Sequence, residues 1–255
     1  MKRQFRYHYT VRYDEGDCYG LMKPSTFLRY MQDIASLDAE DAQLGGDGFW
    51  VVKRTVVSFT APVPVHTSLE VKTYGLGFTR ITAQRAYDAH IVGQEQSRPV
   101  VAARSLWVYV DTRGRPTRLP ERTAQIWLPD GPEPQIPDAP WPEFPQRAPE
   151  RVNYTVRFSD TDLMKHINNA TYIEVLDNAA WEAYAKAGIT PDNAEMHVLS
   201  YEIEYLESAR LGEQLEIHTW LEPVPGPGQQ FTRLQQVMRN GTLLVKVRSR
   251  WQWHV

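Results

Sequence analysis

Cysteine is nearly absent: Cys18 is the only one in 255 residues. A lone thiol forms no internal disulfide and gives no thiolate cluster for a metal, so a reducing compartment, the cytoplasm, is the expected location. Long apolar runs are missing as well. No stretch approaches the ~18 residues that a membrane-spanning helix needs. The start "MKRQFRYHYTVRYDEGD" carries charge with no apolar region behind it, which speaks against a secretory signal. Nor is one sign of charge in excess, since 28 Lys and Arg face 31 Asp and Glu for a net charge of −3. With no basic tract, neither nucleic acid nor an anionic membrane surface is an expected partner. The 42% hydrophobic content suffices for one large domain, or two of roughly 100–150 residues that each bury a core.

What the chain does contain is one unit written twice. "YTVR" at Tyr9–Arg12 returns at Tyr154–Arg157, and from there the register holds at an offset of 145: Tyr13 faces Phe158, Asp17 faces Asp162, Thr26 faces Thr171, Phe27 faces Tyr172 and Leu28 faces Ile173. Further on, "LEVKTY" (Leu69–Tyr74) answers "LEIHTW" (Leu215–Trp220), "FTR" at Phe78–Arg80 answers "FTR" at Phe231–Arg233, and "RSLW" (Arg104–Trp107) answers "RSRW" (Arg248–Trp251). The expected division is therefore residues 1–113, a linker over 114–150, and residues 151–255. The linker holds ten of the eighteen prolines. Proline fixes φ and removes a donor, so an extended strap is expected there, packed through Ile126, Trp127, Leu128, Trp141 and Phe144.

Both halves read as a strand, a loop, a helix and four β-like stretches. Tyr172, Ile173, Leu176, Ala179, Ala180, Ala183, Tyr184 and Ala187 recur at helical spacing, with Gly188 as the stop. Pro24 and Ser25 mark the start of the first-half helix, with Phe27, Leu28, Met31, Ile34 and Ala35 on its face. A single long helix among antiparallel strands must be wrapped by the sheet to bury its apolar face. The expected fold is α+β: a double hot-dog, two tandem units that form an internal pseudo-dimer, as a monomer or a further homodimer.

The chemistry concentrates in "SDTDLMKHINN", Ser159–Asn169, which holds two carboxylates, an imidazole and two asparagines just ahead of the second helix. Asn168 or Asn169 suits an N-cap, which would aim the helix's positive end at the loop of Asp162 and His166. The first half is a control. There Asp17 keeps the acid, but Leu21 stands opposite His166 and Lys23–Pro24 opposite Asn168–Asn169, so chemistry is expected in the second half.

"DTDLMKHINNATYIEVLD" resembles the hot-dog thioesterases. Together with "WVVKRTVVSFTAPV" and "YEIEYLESARLGEQLEI" the whole chain looks like the acyl-ACP thioesterases. That resemblance implies Asp162 as the motif aspartate, His166 as the motif histidine and Glu207 as the acid on the following strand, with the acyl pocket in the first half. It also exposes two departures. The family's asparagine two residues before the histidine falls on Met164, and Ser208 stands where plant members carry cysteine. Thioester hydrolysis needs an activated water or a carboxylate nucleophile and a donor for the oxyanion, and no metal or cofactor. Glu207 is assigned as the water-activating base, with Asp162 and His166 as the positioning pair; the roles of the two acids are exchangeable on sequence alone.

The expected partner is acyl carrier protein bearing a phosphopantetheine-linked acyl chain, met by Lys165 and Arg210. An acyl-CoA thioesterase, or a non-catalytic acyl-binding module motivated by Met164, are the alternatives. His8, His66, His90, His197, His218 and His254 are read as structural.

Overall fold

A computed structural model of the chain describes residues 2–131, 133–220 and 223–254. The described residues form ten strands and three α-helices, in two compact units: Met1–Met22 with Arg29–Pro140, and Lys23–Leu28 with Trp141–Val255.

The first half supplies β1 (Gln4–Thr10), α1 (Pro24–Asp41), β2 (Phe49–Phe59), β3 (Ser68–Phe78), β4 (Thr82–Ile91), β5 (Val101–Val110) and a short α2 (Arg122–Trp127). The second supplies β6 (Glu150–Thr155), α3 (Asn169–Lys186), β7 (Glu195–Tyr205), β8 (Gln214–Trp220), β9 (Gln230–Arg239) and β10 (Thr242–His254). The strands of the first pair antiparallel in the order β1-β3-β4-β5-β2, and those of the second in the order β6-β8-β9-β10-β7. These are the same topology, so the fold is the expected double hot-dog.

Periodicity explains the elements. Along β3 the burial alternates at every residue, with Leu69, Val71 and Thr73 inward. On α1 the buried stripe runs through Phe27, Met31, Ile34 and Asp38; on α3 it runs through Ile173, Leu176, Ala180 and Tyr184. Each fully buried Leu, Ile or Phe on these faces contributes about 1.5–3 kcal/mol. Gly188, at φ +76°, ends α3 in the left-handed conformation, and the Ile189 N–H returns to the Tyr184 carbonyl.

The repeat holds at the level of register. Tyr9 pairs with Leu69 as Tyr154 pairs with Leu215, and α1 and α3 are both 18 residues long. Trp107 Nε1 donates to Ser105 Oγ as Trp251 Nε1 donates to Ser249 Oγ. One sequence match fails. Phe231–Arg233 lie inside β9, whereas Thr79 and Arg80 lie in the turn after β3. Arg233 faces Ser249, and it is Arg85 that faces Ser105. Arg85, not Arg80, is therefore the structural counterpart of Arg233.

The proline-rich segment also differs from a plain strap. Pro120 and Pro129 leave a proline-free interval between them in which α2 forms, burying Trp127 and Leu128. Beyond it the chain is extended. The Gln84 side-chain amide bonds both the carbonyl and the N–H of Ile136 at 2.7 Å. A Cβ on Gly77 would lie 2.8 Å from the Pro134 carbonyl oxygen, so only glycine admits the segment there. In the second unit Phe144 packs on Trp220 with ring centres 5.1 Å apart.

Candidate active site

The loop ahead of α3 is shaped by its acids. Asp160 is buried and accepts from the Tyr154 hydroxyl and the Arg157 N–H, both at 2.6 Å, which closes a 3₁₀ turn over Phe158–Asp160. The Tyr154 phenol is pushed up to about 12, by burial first and then by Asp160. Glu15 does the same for the first unit, accepting from Arg12 N–H and the Tyr30 hydroxyl. Asp160 is thus a structural acid.

Asp162 also has a structural part. Its Oδ1 accepts from Met164 N–H at 2.9 Å, and its N–H donates to the His166 carbonyl at 3.0 Å. In the first unit Asp17 Oδ1 accepts from the N–H groups of Tyr19 and Leu21, and Asp17 N–H donates to the Leu21 carbonyl. The aspartate therefore builds the same side-chain-to-backbone turn in both copies, with or without a histidine. What the second copy adds is an amide: Asn168 Nδ2 lies 3.4 Å from Asp162 Oδ2. At the tip of the turn Lys165 stands at φ +60° where the first unit has Gly20 at +74°. A non-glycine residue held there next to His166 is local strain at the candidate site.

Asn168 is the N-cap of α3: its Oδ1 accepts from Ala170 N–H at 2.9 Å. Asn169 is the first helical residue, and its carbonyl accepts from the Tyr205 hydroxyl at 2.9 Å. Two residues past Glu207, the Ala209 carbonyl accepts from Ile167 N–H at 2.9 Å. Glu207 and Ser208 are thus bracketed between two contacts to the segment that carries His166. Both are exposed, as are Met164, Lys165 and Arg210.

Arg239, which sequence reasoning missed, organises this turn. It donates to Glu207 Oε2 at 3.0 Å, to the Ser208 carbonyl at 3.1 Å and to Glu213 Oε2 at 2.7 Å. The Glu213 bond, more than any other, raises the guanidinium's affinity for its proton. His166 is half-buried, and among the described residues no hydrogen bond or ion pair joins it to Glu207 or engages its ring. The loop thus presents an imidazole, a carboxylate held by an amide, and a capped helix start, which together suit attack of water on a polarised carbonyl.

The first unit holds a cavity of about 300 Å³ between α1 and its sheet, walled by Trp50, Phe78, Trp107 and Trp127. Its origin lies in three small residues. With the helices in register, Ser36 and Ala39 on α1 match Trp181 and Tyr184 on α3. Ala83 faces Trp107 as Phe231 faces Trp251, so Ala83 matches Phe231. In the second unit those aromatics converge, Tyr184 meeting Trp181 at 5.6 Å and Phe231 at 6.4 Å between centroids, where the first unit carries the smaller Ser36, Ala39 and Ala83. At one side of the cavity Arg85 reaches Asp38, which is wholly buried and also accepts from Arg3 at 2.7 Å and Trp127 Nε1 at 2.6 Å.

The family model for the acyl-ACP thioesterase N-terminal domain matches residues 2–126, and that for the thioesterase-like superfamily matches residues 156–251. A chloroplastic acyl-(acyl-carrier-protein) hydrolase of Cuphea viscosissima is 23% identical over 97% of this chain, and the match spans 62% of that relative's length. The structure of a 12:0-ACP thioesterase from Umbellularia californica aligns over 98% of this chain and 97% of its own, at 17% identity and a TM-score of 0.79. An acyl-ACP thioesterase from Bacteroides thetaiotaomicron aligns over 98% of both chains, at 18% identity and a TM-score of 0.72. Two units of one topology and the two family matches agree: the first half is similar to the acyl-ACP thioesterases and the second to the thioesterase-like superfamily.

Proposed function

We propose that the chain hydrolyses acyl-ACP, releasing free fatty acid and so ending chain elongation. The observation that carries this reading is the loop Asp162–Asn168 at the start of α3, polar in one copy and without its imidazole and amide in the other. Glu207 is proposed as the base that activates water. Asp162, oriented by Asn168, and His166 hold that water and the thioester, and the developing oxyanion meets the first turn of α3. Ser208 offers no thiolate, so no cysteine nucleophile is available there, and water is proposed as the attacking group. The cavity of the first unit is proposed for the acyl chain, its aromatic wall supplying burial at about 0.8 kcal/mol per methylene.

The carrier's acidic surface would meet exposed Lys165 and Arg210. We place the activity in the cytoplasm, and among the described residues no helix is long and apolar enough to cross a membrane.

The rival reading, an acyl-binding module without turnover, is favoured by Met164 in place of the family asparagine and by the pairing of Glu207 with Arg239. Purified protein incubated with matched acyl-ACP and acyl-CoA panels separates the readings. Thiol release faster from the carrier supports the proposal; faster release from CoA reassigns the substrate; release from neither, with fatty acid still bound, supports the module.

A further inference from the structure

The cavity of the first unit is not uniformly apolar. Most polar atoms in its wall are occupied: the Gln84 amide by Ile136, Trp107 Nε1 by Ser105 and Trp127 Nε1 by Asp38. Two are not. Thr123, only 1% exposed, has its hydroxyl buried with no hydrogen-bond partner among the described residues. Arg85 spends Nη1 on Asp38 and Thr73, and among the described residues its Nε and Nη2 make no hydrogen bond. The two lie on the same side of the cavity. Thr123 and Trp127 share a face of α2 at i, i+4, and the Arg85 guanidinium lies 5.2 Å from the Trp127 ring.

A buried hydroxyl without a partner is costly and needs a reason. A water there would need two to four polar partners, and the aromatic wall offers few. An oxygen on the ligand meets the need: it accepts from the Arg85 N–H groups and exchanges a hydrogen bond with Thr123. Charge decides which oxygen. Arg3 and Arg85 are matched by Asp38 and Asp41, which leaves no net positive charge to receive a carboxylate. We propose that this cavity is adapted to an acyl chain bearing a neutral oxygen, a hydroxyl or keto group, with Thr123 and Arg85 as the residues that select it.

This rests on the proposed acyl-chain role of the cavity, yet it is read without hydrolysis. Calorimetric titration of the purified protein with dodecanoic acid, and with its monohydroxy isomers having the hydroxyl stepped along the chain, tests it. At least one isomer should bind on the order of three- to tenfold tighter than the parent acid, the worth of one neutral hydrogen bond. Thr123→Val should erase that advantage, and Thr123→Ser should keep it. The proposal fails if no isomer outbinds the parent, if neither acid binds, or if Thr123→Val keeps the preference. Acyl-ACP hydrolysis is scored separately. Hydroxyl-selective binding without turnover would sink the enzyme reading and leave this inference standing, and turnover without hydroxyl preference would do the reverse.

Discussion

Replacing Ala83 by phenylalanine puts into the first unit the side chain that the second unit carries at the matching position, Phe231. Ala83 lines the cavity and faces Trp107, as Phe231 faces Trp251. A phenyl ring needs on the order of the 150 Å³ that accommodates benzene, half of the cavity's 300 Å³. At roughly 30 Å³ per methylene, taken as about the share of a water, that removes room for four or five methylenes. At about 0.8 kcal/mol each, long chains lose ~3–4 kcal/mol of binding, a factor of a few hundred. Short chains lose little. The fold should tolerate the change, because the second unit houses the same ring on the same strand pairing and a filled void gains contacts. Calorimetry with a ladder of saturated fatty acids reads the effect directly, and the chain length preferred in turnover should shorten with it. Long-chain binding equal to wild type, at an unchanged melting temperature, would refute the assignment of this cavity to the acyl chain.

Other substitutions probe other parts of the account. Asp162→Asn keeps an oxygen for Met164 N–H, so the melting temperature should hold while thiol release falls; Asp162→Ala should lower both, and equal melting temperatures would deny the turn its dependence on that side chain. Lys165→Gly relieves the left-handed backbone at the cost of glycine's entropy, for a net gain of about 0.5–1 kcal/mol in urea unfolding; a loss of stability would contradict the strain. Asp38→Ala leaves Arg85 and Trp127 unpaired inside the first unit and should cost about 3–5 kcal/mol. Denaturant unfolding within 1 kcal/mol of wild type, roughly the scale of a surface pair, would show that network to be dispensable.

The duplication was legible because the features that recur as strings are tied to backbone needs: the aspartate that builds a turn, the tryptophan that bonds a serine two residues back, the leucine that faces a tyrosine across a strand pair. The candidate loop was legible for the same reason, since its acid, imidazole and cap sit within a few residues. Features that the fold assembles from a distance were hidden. Arg85 meets Asp38 across 47 residues, Arg233 meets Asp177 across 56, and Arg239 meets Glu207 across 32. No local pattern marks such pairs. The repeated "FTR" misled because an identical string without its strand register carries no structural equivalence. The cavity was invisible for a related reason: Ser36, Ala39 and Ala83 gain meaning only once helix and sheet register match them with Trp181, Tyr184 and Phe231. The helix inside the proline-rich segment escaped because composition was averaged over the whole stretch, while the prolines themselves leave one interval free.

The central claim, that this chain cleaves an acyl thioester at the loop ahead of α3 through its lone loop imidazole, is tested most directly by one comparison. Thiol release from dodecanoyl-ACP is measured for the wild type and for His166→Ala, at matched melting temperatures. The account predicts release by the wild type and a loss of about 10²–10³-fold in the variant, the range for removing one preorganised hydrogen-bonding group from a site. A variant that releases thiol at the wild-type rate would contradict it.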